Sequence, residues 1–238
     1  MKLVMFDMDG TLTDSFALDE NCYVLAIEQA LGLSGVVTEW ETYTHTSSSF
    51  CLEEIVRRVR GTPPSVDESR AVQTRMVKLM SEIHGIRGRC TTEIPGAAAC
   101  LRLLQNRGYA VAIASGDWET TAHHKLTAAQ IPFETLPAAF CDCAHARTEI
   151  MRTALARAQA HYQCQSFERI VYVGDAAWDV RACRELRWPL IGIAPGPHAT
   201  RMSDLGVSHV FADYSAPEVF LAAVEQATAP SLSSSAAA

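Results

Sequence analysis

An α/β fold is expected: a doubly wound parallel sheet covered by helices on both faces, with a helical segment inserted after the first strand. Three observations lead there. Short apolar runs (Leu3-Val4-Met5-Phe6, Tyr109 to Ala114, Ile170 to Val173, Leu190 to Ala194) have the length and composition of buried strands. Stretches of helical periodicity alternate with them, the pattern of a parallel sheet built by crossovers. Residues 15–86, by contrast, contain no convincing strand.

In chain order, the first strand and its loop occupy residues 1–14. A helix is expected over 18–32, where Leu18, Cys22, Leu25, Ala26 and Leu31 recur near helical spacing. Leu52 to Val59 and Val66 to Ile83 read as two further helices, separated by Gly61-Thr62-Pro63-Pro64. Pro95 suits a helix start, and that helix runs to Arg107 and stops at Gly108. After the strand 109–114, Asp117 is expected to cap a helix to about Ala129. Phe140 ends a short strand, Glu149 to Tyr162 is helical, and Trp178 to Leu186 is a helix after the strand 170–173. His209 to Phe211 is a last short strand. The Ser- and Ala-rich end, residues 229–238, is expected to be a disordered tail.

Composition narrows the function classes. A chain of 238 residues with 48% hydrophobic content has ample material for a core. A net charge of −7 argues against nucleic acid as a partner. No signal segment is read at the start and no apolar stretch reaches membrane-spanning length, so a cytoplasmic protein without a membrane partner is expected. The eight cysteines then read as reduced thiols, mostly buried. Cys141-Asp142-Cys143-Ala144-His145 has the look of half a metal site, but no second Cys/His pair accompanies it. The expected assembly is a monomer or homodimer.

The chemistry concentrates at strand ends. Phe6-Asp7-Met8-Asp9-Gly10-Thr11-Leu12 follows the first strand. Residues i and i+2 of a strand point the same way, which turns Asp7 and Asp9 toward one site. Two adjacent carboxylates repel unless a cation or a proton relieves them. The pair therefore suggests a Mg²⁺ site with a nucleophile beside an acid/base, although Asp-Gly after a strand is also ordinary turn chemistry. Ala114-Ser115-Gly116-Asp117 offers a hydroxyl and free N–H groups at a helix start, which is either a phosphate seat or a simple cap. In Val173-Gly174-Asp175-Ala176-Ala177-Trp178-Asp179, Asp175 and Asp179 are either further metal carboxylates or an N-cap with a first-turn acid. Arg147 is either the cation that holds a phosphoryl group or a solvated residue at a helix start.

Taken together, these residues resemble the haloacid dehalogenase superfamily of phosphatases. Asp7-x-Asp9-Gly10-Thr11 matches its first motif, Ser115 the second, and Gly174-Asp175-x-x-x-Asp179 the fourth. The resemblance implies a Rossmann-like core over 1–14 and 87–228 and a helical cap over 15–86. It points to the branch of phosphoglycolate phosphatases and β-phosphoglucomutase. The third motif usually supplies Lys. Here Arg147 stands at the matching distance after Ser115, with Lys125 as a rival, and Arg is not a simple replacement for Lys.

The resemblance further implies a Mg²⁺-dependent phosphatase acting on a small phosphorylated metabolite. Asp7 is the nucleophile and Asp9 the acid/base. Mg²⁺ is held by Asp7, the Asp9 main-chain carbonyl and Asp175, with Asp179 supporting that shell. Ser115, Gly116 and Arg147 clamp the phosphoryl group. His45, Thr46 and Ser47, in a polar stretch of the cap, are expected to choose the substrate. A phosphosugar mutase and a non-catalytic binding protein on the same scaffold are the alternatives. A dehalogenase is disfavoured because it needs only one aspartate in the first motif. A phosphonate hydrolase is disfavoured because the cap's one lysine, Lys78, comes late in the insert.

Overall fold

The computed structural model describes residues 1–88 and 90–231. The tail expected over 229–238 lies, beyond Ser231, outside the described residues. Its first residues are packed: Pro230 is buried, and the Ser231 carbonyl accepts from Arg184 at 3.2 Å.

The chain runs β1 (Leu3–Phe6), β2 (Thr13–Asp14), α1 (Phe16–Leu31), a 3₁₀ turn (Trp40–Thr42), α2 (Ser48–Arg60), α3 (Val66–Arg87) and β3 (Thr92–Glu93). It continues through α4 (Ala97–Asn106), β4 (Ala110–Ala114), α5 (Glu119–Ala128), β5 (Ala138–Ala139), α6 (Arg147–His161), β6 (Ile170–Gly174) and α7 (Ala177–Leu186). The last elements are β7 (Leu190–Ile193), α8 (Pro197–Asp204), β8 (His209–Phe211) and α9 (Pro217–Gln226). Six strands form one parallel sheet in the order β5-β4-β1-β6-β7-β8. The expected fold class is borne out.

Alternation along the strands divides the core between the two faces. Leu3 and Met5 of β1 and Ala110, Ala112 and Ala114 of β4 face α6 and α7, meeting Ile150, Met151, Ala154, Val180 and Cys183. Val4, Phe6, Val111 and Ile113 face the opposite way, onto Leu101 and Leu104 of α4, Leu126 of α5 and Phe220 of α9. Every residue of β1, β4 and β7 is buried, as a parallel sheet covered on both sides requires. Helices α1, α2 and α3 share the first cluster through Tyr23, Ile27, Leu52, Val56, Val72 and Met76.

One local expectation is corrected. Asp117 does not cap α5; the N-cap position belongs to Trp118, which makes no side-chain cap bond. The Asp117 carboxylate instead accepts from the Ser48 hydroxyl at 3.3 Å and pairs with Lys125 at 2.5 Å. A buried ammonium outcompetes an orphan backbone N–H for that carboxylate. Similarly, the helix begun at Pro95 starts at Ala97, because Gly96 adopts φ +82° and ends the preceding turn.

Candidate active site

The sheet order reverses about β1, with β4 on one side and β6 on the other, so the loops leaving these strands diverge and open a crevice at their C-terminal ends. Asp7 and Asp9 follow β1, Ser115 to Asp117 follow β4, and Asp175 follows β6. Arg147 opens α6. All of these line one cavity of about 90 Å³.

The loop after β1 is tightly wound. The Met8 carbonyl accepts from Leu12 N at 2.7 Å and Thr13 N at 2.9 Å, and Gly10 N donates to Thr13 O at 2.8 Å. Gly10 sits at φ +72°, and a Cβ there would overlap the Asp175 carboxylate. Asp7 is 3% exposed, and its main-chain N–H extends the sheet by donating to Val173 O at 2.9 Å. Burial pushes the Asp7 carboxyl up, against the stabilising pull of Arg147, the Met8 N–H and the Ser115 side chain.

Asp7, Asp175 and Asp179 converge, with one carboxylate oxygen from each within 4.8 Å of the others. Burial, then mutual repulsion, pushes Asp175 well above the usual carboxylate range; burial, then Asp7, pushes Asp179 up to about 7. Asp175 Oδ1 and Asp179 Oδ1 are buried without a hydrogen-bond partner. An all-oxygen donor set with spare buried acceptors fits a hard divalent cation such as Mg²⁺. The Asp9 carboxylate does not belong to this group. Asp179, expected only to support the shell, stands in the group itself.

Arg147 Nη1 donates to Asp7 Oδ1 at 3.0 Å, and its Nε lies 3.7 Å from Asp179 Oδ1. Burial works against its charge, but Asp7 and Asp179 hold it protonated. Ser115 is 3% exposed, at the end of β4. A Cβ on Gly116 would lie 2.8 Å from the Thr46 carbonyl and 3.1 Å from Arg147 Nη2, so only glycine leaves this approach open.

Lys125 takes a different place from Arg147. Its side chain is fully buried, with Nζ 2.5 Å from Asp9 Oδ2 and from Asp117 Oδ2 and paired as well with Asp19 of α1. Burial disfavours the ammonium, yet the three carboxylates hold its pKa well above the ordinary lysine value. Burial also pushes Asp19 up to about 6, against the pull of Lys125. Asp9 is held further by the Ser15 hydroxyl. Sequence reading missed Asp19. Its one local signal is an acid in the first turn of α1, which is usually explained by the helix dipole.

The cavity is roofed from the inserted segment. Ser48 N donates to Gly116 O at 2.8 Å, Ser47 Oγ to His145 O at 2.9 Å, and Ser49 Oγ to Cys141 O at 3.2 Å. Thr46 and Ser47 line the cavity, together with Phe16, Asp19, Glu20, Tyr23 and Trp40. His45 is not among its lining; it packs edge-on against Phe50 with ring centroids 4.8 Å apart. Trp118 is 2% exposed and stacks on Tyr23 at 5.6 Å, seating α1 on the loop after β4. The Cys141-to-His145 segment joins no cluster of metal-ligating groups among the described residues.

A crevice at the sheet's switch point, lined by acidic loops after β1 and β6, defines a hydrolase of the aspartate-loop type, and the chain belongs to the haloacid dehalogenase-like hydrolase family, whose profile matches residues 1–187. No curated protein matches it. Among solved structures it is similar to a hydrolase from Pseudomonas syringae (18% identity, 95% of this chain and 99% of that one, TM-score 0.68). It is also similar to CbbY from Rhodobacter sphaeroides in complex with phosphate (21% identity, 90% and 95%, TM-score 0.66). A third is a predicted phosphoglycolate phosphatase from Haemophilus somnus (17% identity, 93% and 98%, TM-score 0.57). Among the described residues no helix is long and apolar enough to cross a membrane.

Proposed function

We propose that this hydrolase is a Mg²⁺-dependent phosphatase of small phosphomonoesters, with residues 15–86 acting as a cap over a core formed by 1–14 and 87–228. The observation that carries the reading is the convergence of three carboxylates, Asp7 and Asp179 buried and Asp175 half-buried, with a guanidinium bonded to one of them. Asp7 attacks phosphorus as the ester P–O bond breaks, giving an aspartyl-phosphate. Asp9 delivers a proton to the leaving oxygen and then takes one from the attacking water. Arg147, Ser115 and the N–H groups near Met8 and Gly116 hold the transferring phosphoryl group. Asp7, the Asp9 carbonyl and Asp175, with Asp179 beside them, would hold the cation. Once bound, it neutralises the repulsion between the Asp7 carboxylate and the phosphate dianion. The complex of CbbY with phosphate supports a phosphate-sized seat in this fold.

The test is phosphate release from a panel of small phosphomonoesters, with Mg²⁺ and with chelator. Release is expected with Mg²⁺ and should fall by at least about 10³-fold on chelation, since the cation supplies several kcal/mol of charge stabilisation. Release that is indifferent to chelator would overturn the metal assignment. Release only when a sugar bisphosphate is added would favour a mutase.

A further inference from the structure

The leaving-group side of the cavity has its own chemistry. The inserted segment lines it with Asp19, Glu20, Tyr23 and Trp40 among others, and with no Lys, Arg or His among the described residues. Among the described residues of the lining the one cation is Arg147, already bonded to Asp7. A second phosphate or a carboxylate on the leaving group would meet Asp19, whose ammonium partner Lys125 is buried and already shared among three carboxylates, and Glu20, and would find no free cation among the described residues there. Sugar bisphosphates and phosphoglycolate therefore fit this wall poorly.

What the wall does offer is a carboxylate in an aromatic frame. The Glu20 carboxylate accepts from Trp40 Nε1 at 2.6 Å and forms no ion pair among the described residues. Tyr23 meets Trp40 edge-to-face at 5.6 Å, and Tyr43 backs Trp40 at 5.7 Å, so the indole is fixed in place. Trp178, whose Nε1 is buried without a partner, stands at the same place. Phe16, Glu20, Trp40, Asp175 and Trp178 line both this cavity and a larger groove outside it, so they form the neck between the two. The groove carries Asp14, Glu39, Glu41 and Asp213 against His198 and Arg201, and Arg201 is paired with Glu41 at 2.6 Å. An entry path of this sign favours a cation. A carboxylate that has no cation partner, is held at an indole edge and is framed by aromatic rings is a seat for an ammonium group, its charge met by the carboxylate and its carbons by the rings.

We propose that the ester hydrolysed here is a phosphorylated amino alcohol, its ammonium group seated at the neck between Glu20 and the Trp40 and Trp178 rings. This rests on the phosphatase reading above. Water and the ester give the free amino alcohol and inorganic phosphate: the ester P–O bond breaks, a P–O bond to the water oxygen forms, and a proton passes to the alcohol oxygen.

The experiment compares kcat/KM for phosphocholine, its uncharged tert-butyl isostere and phosphoglycolate, in wild type and Glu20→Gln. Separately, choline is titrated calorimetrically into both proteins without metal. Phosphocholine is expected to exceed the isostere by about tenfold or more, with phosphoglycolate slowest. That preference should collapse in Glu20→Gln, and choline should bind wild type more tightly than the variant. Equal or faster hydrolysis of the isostere or of phosphoglycolate overturns the amino-alcohol inference and leaves the phosphatase standing. Equal binding of choline to both proteins overturns the role of Glu20. No release from any ester overturns the phosphatase reading, and this inference with it.

Discussion

Asp7→Asn is expected to reduce phosphate release by on the order of 10⁴-fold or more, the scale seen when a covalent nucleophile is removed. The amide keeps the size of the carboxylate but cannot attack phosphorus. The fold should survive. Asp7 is crowded by Asp175 and Asp179, so removing its charge relieves repulsion while weakening the bond from Arg147. These effects oppose one another, and the change in stability should stay within about 1 kcal/mol. Single-turnover phosphate release and a thermal melt measure the two. An Asp7→Asn protein with near-wild-type turnover would end the nucleophile assignment. One that fails to fold would mean that Asp7 is chiefly a structural partner of Arg147.

Lys125→Met should produce the largest loss of stability of any single substitution in the site. Methionine fills nearly the same volume, so the cavity term is small. The loss comes from charge: Asp9, Asp19 and Asp117 are left facing one another without a counter-ion. Breaking a buried pair from one side costs about 3–5 kcal/mol, and at this size that corresponds to roughly 6–20 °C in Tm. The pH dependence has a definite sign. In the variant the folded-state pKa values of Asp19 and Asp117, already raised by burial, rise further above their unfolded values. The penalty is therefore full above the folded pKa and is relieved as pH falls through it toward the unfolded one. Asp19 already stands at about 6 with the ammonium in place and goes higher without it. The gap in Tm between variant and wild type is then widest near pH 8 and narrows toward pH 5. A variant that melts with wild type at pH 8 would show that the cluster carries little of the stability.

Much of this was legible from the sequence, and for physical reasons. The strands are apolar runs because a sheet covered on both faces leaves no position for polar side chains, and Asp7, Ser115 and Asp175 mark where each run meets the crevice. Gly10 and Gly116 punctuate the same places because carboxylate, carbonyl and guanidinium groups approach the backbone there. The Lys125 cluster was not legible. Asp9 lies 116 positions from Lys125 and Asp19 lies 106, and no local pattern encodes a pairing at that separation. Asp117 misled for the same reason: its local context fits a cap, and a distant ammonium overrides it. The antiparallel pair of Thr13–Asp14 with Thr92–Glu93 spans two residues on each side, too short for alternation to register, and the whole inserted segment separates its strands. Helices α8 and α9 begin at Pro197 and Pro217, an available start signal; α8 has only eight residues and buries Met202 alone, too little for an apolar stripe to stand out.

The inserted helices and the sheet also share more than a boundary. Tyr23 of α1 is stacked on Trp118, Asp19 shares its ammonium with Asp9 and Asp117, and one apolar cluster runs from Met76 of α3 to Met5 of β1. Peeling α1 away would expose an indole and strip a counter-charge from a buried lysine in the same event. The two parts should therefore melt cooperatively, with calorimetric and van 't Hoff enthalpies in agreement, whereas two resolved transitions would mark them as separate folding units. If the melt is single, residues 15–86 help keep the strand that leads into Asp7 folded, a role separate from the cap function proposed for them.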